Sequence, residues 1–146
     1  MEIITKSPEE TKKVGRRLAS ALIGGEIICL SGDLGAGKTT FVQGLALGLG
    51  IKSRLISPTF ILVRKYHLQP KNKNLTPNTL FHVDLYRLEE RVDKEVINLG
   101  ITDVWGKKEN IVVIEWAEKI KEIILDKAKW VFFENLGADE RKIKIE

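Results

Sequence analysis

The chain has 146 residues, and its 43% hydrophobic content is enough for one sizeable core, so we expect a single domain over residues 1–146. The formal net charge of +4 is compatible with a partner that carries RNA but does not require one. The lone Cys29, the lack of a signal-peptide pattern and the lack of an apolar run of ~18 residues predict a soluble, cytoplasmic protein without a membrane span.

The first predicted elements are a helix and a strand. The segment Ser7 to Glu10 combines a helix N-cap residue, a proline at the first helical position and a glutamate that completes a capping box, so a helix begins here. Its buried face is expected to carry Val14, Leu18 and Leu22. Gly24 and Gly25 end the helix, and the short apolar run from Glu26 to Leu30 predicts a buried strand.

The middle of the chain predicts a second helix and two strands. The helix runs from Thr39 to a stop at Gly50, with Phe41, Leu45 and Leu49 on one face. The strands cover Phe60 to His67 and Leu80 to Tyr86. Clustered Asn and Pro between Gln69 and Thr79 indicate a long exposed hairpin loop that joins them.

The last third adds helices and a terminal strand pair. Helices are predicted over Glu90 to Leu99, closed by Gly100, and over Ala117 to Leu125, with the buried strand Ile111 to Ile114 between them. Strands over Lys129 to Glu134 and Arg141 to Ile145 turn at Gly137. The whole pattern predicts an α/β fold, a P-loop NTPase-like mixed β-sheet flanked by helices, with an antiparallel portion.

The segment Gly32 to Thr39 fits the pattern G-x-x-x-x-G-K-[ST] between a predicted strand and a predicted helix. Its glycines allow a tight turn whose N–H groups face phosphate oxygens, and the helix adds its positive N-terminal end. Lys38 is expected on the β- and γ-phosphates, the Thr39 hydroxyl on magnesium and Thr40 on the α-phosphate. The predicted nucleotide contacts in this segment are therefore Asp33, Gly35, Ala36, Gly37, Lys38, Thr39 and Thr40.

A P-loop enzyme also needs an acid at the end of a nearby strand to hold the metal or its water. Glu115 follows four apolar residues that predict a central strand beside the loop-bearing strand. Asp84 ends the looser run LFHVD, in which His82 indicates one wetter face. We therefore assign Glu115 to magnesium, and the pattern leaves Asp84 open between an active-site acid and a strand-end acid.

Other polar segments have more than one interpretation. Ser57 to Phe60 precedes a strand, where a hydroxyl such as that of Thr59 senses the γ-phosphate in a switch segment, or where the residues form a simple turn. His67 and His82 have no cysteine or further histidine at zinc-ligand spacing, so we do not expect a zinc site. A tryptophan at a strand end, as at Trp116, is more often a core residue than a nucleotide contact.

The nucleotide is expected to be ATP. The nearest approach to the guanine-specific pattern Asn-Lys-x-Asp is Asn72 to Leu75, which lacks the aspartate. A small-molecule kinase and a nucleotide-gated binding module remain alternative functions for the same loop. The chain is short for the arginine-bearing lid that a kinase needs.

Four segments resemble the signature segments of the TsaE family and occur in the family's order. They are GDLGAGKTTF (Gly32 to Phe41), SPTF (Ser57 to Phe60), HVDLYR (His82 to Arg87) and IEWAE (Ile114 to Glu118). The resemblance implies an ATPase that works with TsaD-like and TsaB-like proteins. Those proteins attach threonylcarbamoyl to tRNA adenosine, so the transfer itself is not expected in this chain, and tRNA is reached indirectly through the complex. It also implies that hydrolysis resets that assembly between turnovers. Because Lys38 and the metal are the only assured positive charges around the phosphates, we expect hydrolysis by the chain alone to be slow.

The resemblance also assigns roles to individual residues. It implies that Thr39 and Glu115 bind Mg2+, that Asp84 and Arg87 serve hydrolysis or its coupling to partners, and that Thr59 lies in a switch-like segment. The catalytic set is then Lys38, Thr59, Asp84 and Glu115, and Trp116 becomes open between a core and a functional role. The same resemblance places Pro8, Glu118 and Arg141 on the base and ribose side of the nucleotide. The tail departs from the family at Leu125-Asp126-Lys127, where many members have Leu-Pro.

Overall fold

A computed structural model describes residues 1–52, 55, 62–69 and 77–146. The strands are β1 Glu2–Thr5, β2 Ile27–Ser31, β3 Val63–His67, β4 Thr79–Asp84, β5 Asn110–Glu115, β6 Lys129–Gly137 and β7 Glu140–Ile145. The α-helices of this described part are α1 Pro8–Ala19, α2 Lys38–Gly48 and α3 Val92–Asn98, and two further segments, Ile101–Val104 and Ala117–Ile123, are 3-10 helices.

The strands form one seven-stranded sheet in the order β1-β7-β6-β2-β5-β4-β3. Its centre is parallel, because β2 pairs with β5 and β6 and β4 pairs with β5 in parallel register. The two sides are antiparallel, through β3 with β4, β6 with β7 and β1 with β7. The predicted α/β fold, a mixed sheet flanked by helices with an antiparallel portion, is confirmed. The carboxyl ends of β2, β4 and β5 meet at one edge of the sheet.

Two apolar layers cover the sheet. One face packs against α1 and α2, and the other packs against α3 and both 3-10 helices. All six residues of β5 are buried, as expected for a parallel strand covered on both faces. Cys29 lies in the second layer, and burial raises the pKa of its thiol to about 12. Within the described ranges, none of the helices has the length and apolarity needed to cross a membrane.

The start of α1 follows the predicted capping signal. Ser7 is the N-cap, and its hydroxyl accepts a hydrogen bond of 3.1 Å from the Glu10 N–H. The Glu10 carboxylate reaches back to the Lys6 N–H at 2.7 Å, one residue before the cap itself. The first contact satisfies an N–H group that the first turn leaves without a helical partner, and the second holds the residue that precedes the cap. Pro8, one of the predicted site residues, is thereby fixed at the first helical position.

The predicted helix over Ala117 to Leu125 is wrong in type and extent. The segment is a 3-10 helix that ends at Ile123, and Ile120 has a non-helical backbone with φ −127° and ψ 26°. Trp116 enters it in the left-handed region at φ 62°, and Ile124 leaves it extended. Ile120 is buried and the chain then returns to β6, and this path is not compatible with a regular α-helix.

Several other boundaries differ from the sequence predictions. The edge strand β1 was not expected, because its four residues form a strand only through their register with β7. Helix α3 begins at Val92 instead of Glu90, since Arg91 has a left-handed backbone at φ 51°. The β3 and β4 pair confirms the predicted antiparallel pairing, although most of the loop between them, 70–76, lies outside the described residues. The predicted terminal hairpin is confirmed, with Gly137 at φ 108°.

Helices α1 and α2 approach each other through two glycines. A Cβ atom at Gly15 would lie 2.3 Å from the carbonyl oxygen of Phe41, and one at Gly44 would lie 2.0 Å from that of Lys12. Real Cβ atoms do not approach backbone oxygens so closely, so larger residues would force the two helices apart. This close contact holds α2, and with it the loop at its N-terminus, against α1.

We expect Gly44→Ala to lower the free energy of unfolding by about 2–3 kcal/mol, because the added methyl group overpacks the contact of α1 with α2. Alanine would otherwise stabilise a helix interior by about 1 kcal/mol relative to glycine. A loss of stability would therefore come from overpacking and not from helix propensity. Urea denaturation measures it, with Lys13→Ala on the exposed side of α1 as the control. A Gly44→Ala variant as stable as the wild type would contradict the close-packing argument.

Candidate functional site

The glycine-rich loop between β2 and α2 has a backbone that only glycine adopts without strain. Gly37 is the N-cap of α2 with φ 103°, and Gly32 has φ 154°. A Cβ at Gly32 would lie 2.7 Å from the Phe133 carbonyl oxygen, so the start of the loop also packs tightly on β6. No side chain of the described residues caps α2, and its first N–H groups are left for a ligand.

A cavity of about 380 Å³ lies in front of this loop. Its volume is within the range of about 300–1,000 Å³ found for small-molecule sites. Among the described residues, the walls consist of Pro8, Thr11, Leu34, Gly35, Gly37, Lys38, Thr39, Thr40, Asp84, Tyr86, Glu115, Trp116, Asp139 and Arg141. The walls come from α1, the loop, the ends of β4 and β5, and the hairpin of β6 and β7. The cavity therefore lies at the edge where the parallel strands end.

Lys38 lies at the base of this cavity with 5% of its surface exposed. Its ammonium donates to the carbonyl oxygens of Gly32 and Asp33, the second at 2.9 Å, and lies 4.2 Å from the ring centroid of Trp116. Burial lowers the pKa of Lys38, and the carboxylates of Glu115, Glu118, Asp84 and Asp33 oppose that shift. The charges of four carboxylates thus act on a single buried ammonium.

Glu115 is the centre of a buried hydrogen-bonded chain. Its Oε1 accepts a hydrogen bond of 3.0 Å from the Thr39 hydroxyl, and its Oε2 lies 2.6 Å from Nε2 of His82. Glu115 is 2% exposed and His82 is fully buried. The two predicted magnesium ligands, Thr39 and Glu115, are therefore in contact. The interpretation of His82 as a sign of a wetter strand face is wrong, because its ring points into the interior at the Glu115 carboxylate.

Asp84 ends β4 directly opposite Glu115 in the parallel register of β4 with β5. It is 5% exposed, lines the cavity and accepts a hydrogen bond of 3.0 Å from the Tyr86 N–H. The sequence left its location open between the active site and an ordinary strand end. In the structure Asp84 is a strand-end residue and also a cavity residue, because the end of β4 forms part of the cavity wall. Its part in hydrolysis stays a prediction.

Trp116 forms part of the cavity wall and part of the core. Its indole packs against the apolar layer beneath α3, and its ring centroid lies 5.3 Å from that of Tyr86. The φ of 62° is unusual for a bulky residue and costs on the order of 1–3 kcal/mol. This backbone turns the indole back over Lys38. The core location expected for Trp116 and a location beside Lys38 are therefore compatible, because the same indole packs on the core and lines the cavity.

Comparison with known proteins identifies the family. The family model described as "Threonylcarbamoyl adenosine biosynthesis protein TsaE" matches residues 5–143. The chain belongs to the TsaE family. It is 40% identical over 148 residues to the tRNA threonylcarbamoyladenosine biosynthesis protein TsaE of Aquifex aeolicus, covering 99% of this chain and 94% of that relative. The protein of the same name from Bacillus subtilis is 37% identical over 139 residues, covering 95% and 80%.

A solved structure supports the same assignment. The crystal structure of YdiB from Bacillus subtilis superimposes with a TM-score of 0.73 at 31% sequence identity, over 98% of this chain and 82% of that one. The resemblance that the four sequence segments indicated is thus confirmed for the family and for the fold.

The TsaE-family chain brings most of the predicted site residues to one cavity. Of the predicted residues, those that line it are Pro8, Gly35, Gly37, Lys38, Thr39, Thr40, Asp84, Glu115 and Arg141. Asp33 is exposed and Ala36 is buried in the core, and neither is among the described lining residues. Thr59, with the rest of Ser57 to Phe60, lies outside the described residues.

Glu118 also lies outside the described lining of the cavity. Its carboxylate accepts a hydrogen bond from the Ser31 hydroxyl at the end of β2, and its charge acts on Lys38. This location is beside the base of the glycine-rich loop. Arg141 is on a different wall, where its guanidinium donates to the carbonyl oxygens of Ala138 and Glu140 at 2.8 Å each. The two residues that the resemblance grouped on one side of the nucleotide are thus held by different elements.

Sequence reasoning missed several residues of the site. His82 and Tyr86 belong to the segment HVDLYR, so a signal for them was present. Leu34 occupies a variable position of the glycine-rich loop, whereas Thr11 and Asp139 line the cavity without belonging to any of the motifs. Thr11 and Asp139 reach the cavity only because α1 and the terminal hairpin fold beside the loop.

Lys119 was also missed, and it joins the two acidic strand ends. Its ammonium donates to the carbonyl oxygens of Leu85, Tyr86 and Leu88 at 3.1, 2.9 and 2.8 Å. Lys119 lies on the 3-10 helix that follows Glu115, while the three carbonyls belong to the turn that follows Asp84. One side chain therefore fixes the segment after β4 against the segment after β5.

We expect Lys119→Met to lower the free energy of unfolding by about 1–3 kcal/mol, because three carbonyl oxygens lose a charged donor while the aliphatic volume is kept. Urea denaturation measures the change, and Lys121→Met, at an exposed position of the same segment, is the matched control. Equal stability of the two variants would show that the turn after Asp84 does not depend on Lys119.

Proposed function

We propose that this chain binds ATP with magnesium in the cavity and hydrolyses it as a component of tRNA threonylcarbamoyladenosine biosynthesis. The observation that carries the proposal is the contact of Thr39 with Glu115 beside the buried Lys38 at the N-terminus of α2. Membership of the TsaE family supplies the biological process. The nucleotide, the metal and the reaction are inferred from the chemistry of the cavity.

The phosphate end of the nucleotide is assigned to the glycine-rich loop. Uncapped N–H groups at the start of α2 and the positive end of the helix dipole favour an anion. Lys38 provides the mobile positive charge, provided that its ammonium exchanges the carbonyl oxygens of Gly32 and Asp33 for phosphate oxygens. Such an exchange replaces neutral acceptors with charged ones, which form stronger hydrogen bonds.

The acidic residues around Lys38 favour a cation bound together with the nucleotide. A triphosphate in the cavity would meet the like charges of Glu115 and Asp84, which line it, and a divalent cation between them would reduce this repulsion. Thr39 and Glu115 offer two adjacent oxygen ligands of the kind that magnesium prefers. In the described part of the chain no group of three or more His, Cys, Asp or Glu residues is placed to bind a metal by itself. Magnesium needs no such group, because phosphates and water complete its coordination.

The remaining wall is assigned to the base and ribose. Thr11 and Arg141 lie close to Gly37. A Cβ atom added to Gly37 would be 3.8 Å from the Thr11 Cγ2 and 3.6 Å from the Arg141 Cγ. Pro8 completes this wall, which combines one guanidinium with apolar surface. We keep the preference for ATP over GTP that the missing guanine pattern indicates. Glu118, beside Ser31, is a candidate for orienting the loop instead of contacting the base.

Hydrolysis requires groups that act on the attacking water and on the transferred phosphoryl group. Asp84 is buried at the cavity wall opposite Glu115, and we assign it to the orientation of that water. When bound, magnesium neutralises charge on the transferred group. Among the described residues that line the cavity, the cations are Lys38 and Arg141. We therefore infer slow hydrolysis by the chain alone and faster hydrolysis with TsaD-like and TsaB-like partners.

We expect Lys38→Ala to weaken the binding of a non-hydrolysable ATP analogue with magnesium by about 10–150-fold, equivalent to the roughly 1.5–3 kcal/mol of a charge-assisted contact. Isothermal titration calorimetry measures the affinity, and Lys52→Ala at an exposed position is the control. Wild-type affinity in Lys38→Ala would remove the assignment of the phosphates to this loop.

Turnover should depend on partners and on Asp84. We expect phosphate release by the chain alone to be slow, and to rise when TsaD-like and TsaB-like proteins are added together, since a supplied cation can be worth ~10³–10⁵ in rate. Asp84→Asn should keep nucleotide affinity within a few-fold and lose most of the stimulated rate, whereas Asp126→Asn, at an exposed position, should behave as the wild type. A fast intrinsic rate that the partners leave unchanged would instead favour an independent ATPase or a kinase.

A further inference from the structure

We propose that His82 is a positioning residue that holds the Glu115 carboxylate in the orientation needed for magnesium. The proposal rests on the proposed function, because it concerns the metal assigned there to Thr39 and Glu115. It concerns a side chain that sequence reasoning had associated with a wetter strand face. The imidazole lies on β4, one strand away from the carboxylate that it contacts.

The geometry gives Glu115 one partner for each oxygen. Nε2 of His82 lies 2.6 Å from Oε2, and the Thr39 hydroxyl donates to Oε1 at 3.0 Å. A carboxylate that binds a metal is ionised and only accepts hydrogen bonds, so in that state Nε2 is the donor. Two donors from two different elements, β4 and α2, fix the carboxylate plane more firmly than either contact alone. Oε1 is thereby held beside the Thr39 hydroxyl, and both residues line the cavity to which the metal is assigned.

The environment of the imidazole argues against a role in packing alone. His82 is fully buried, and within the described part of the chain its Nδ1 has no hydrogen-bond partner. An unpaired buried polar atom costs on the order of 1–3 kcal/mol, a cost that an apolar side chain of similar volume would avoid. Such an atom in a folded protein needs an explanation. The contact of the other ring nitrogen with Glu115 explains why a histidine occupies this position, since an apolar side chain could not make it.

Residues that orient a metal ligand have a measurable effect on the affinity of the site for its metal. Loss of such a partner typically reduces metal affinity by about 10–100-fold, because the ligand then has to be ordered at the expense of binding. Without His82, the Glu115 carboxylate keeps only its contact with Thr39 and can rotate about its own side-chain bonds. The affinity of the magnesium-free nucleotide does not involve this carboxylate orientation. The two quantities therefore separate a positioning role from a general loss of structure.

The test is a magnesium titration of the full chain in the presence of a fluorescent ATP analogue. We expect His82→Leu, which fills the site without a donor, to raise the half-saturating magnesium concentration by about 10–100-fold. The affinity for the analogue without magnesium should stay close to that of the wild type. His82→Gln places an amide N–H near the original Nε2 and should restore most of the magnesium response. Thermal unfolding of both variants accompanies the titration.

A second measurement uses the wild-type chain and so does not depend on variants that fold. The chain has two histidines, and His67 on the exposed side of β3 provides an internal control. With ¹⁵N-labelled histidine, magnesium added to the nucleotide-bound chain should shift the ring ¹⁵N resonances of His82 and leave those of His67 in place. A His82 signal that does not respond to magnesium would overturn the proposal.

The outcomes separate the two levels of inference. Magnesium-dependent nucleotide binding with an unchanged midpoint in folded His82→Leu, or an equal shift in His82→Gln and His82→Leu, would overturn the positioning role and leave the proposed function in place. Failure of the wild-type chain to bind the nucleotide at any magnesium concentration would overturn the proposed function, and this inference with it. A raised midpoint in His82→Leu with recovery in His82→Gln would support both.

Discussion

The parallel pairing of β5 with β2 on one side and with β4 on the other determines the geometry of the whole site. Parallel strands end at the same edge of a sheet, so this pairing brings the glycine-rich loop after β2, Glu115 after β5 and Asp84 after β4 to one place. Both faces of these strands are covered by apolar layers, which prevents the register from slipping. A one-residue shift of β4 would move both His82 and Asp84 away from Glu115.

Around that edge the fold concentrates polar groups that would be costly elsewhere. Lys38, His82, Asp84 and Glu115 are all nearly or fully buried, and Trp116 adds a strained backbone. Buried charges are tolerated only when they are paired, and the contacts of Thr39 and His82 with Glu115 and of Lys38 with the loop carbonyls provide the pairing. Strain and buried charge at one location are typical of functional sites, where surrounding packing maintains them.

Much of the fold was predictable because its signals are local. Ser7, Pro8 and Glu10 mark the start of α1, and continuous apolar runs mark β2 and β5. The failures have a common cause in tertiary contacts. The strand β1 exists only through its pairing with β7, and the predicted last helix is a 3-10 helix because Trp116 and Ile120 adopt non-helical backbones as they pack. Patterns of a few residues cannot report such contacts.

The sequence by itself determined the residues whose chemistry depends on their neighbours in the chain, which are the loop from Gly32 to Thr39 and the acids that end two strands. Only the tertiary structure decided how these parts meet. It brought Thr11 and Arg141 to the far wall of the cavity, joined Lys119 to the turn after Asp84, and placed His82 against Glu115. The physical reason is that a side chain's spacing along the chain sets its local backbone, whereas strand order and helix packing set its partners across the sheet.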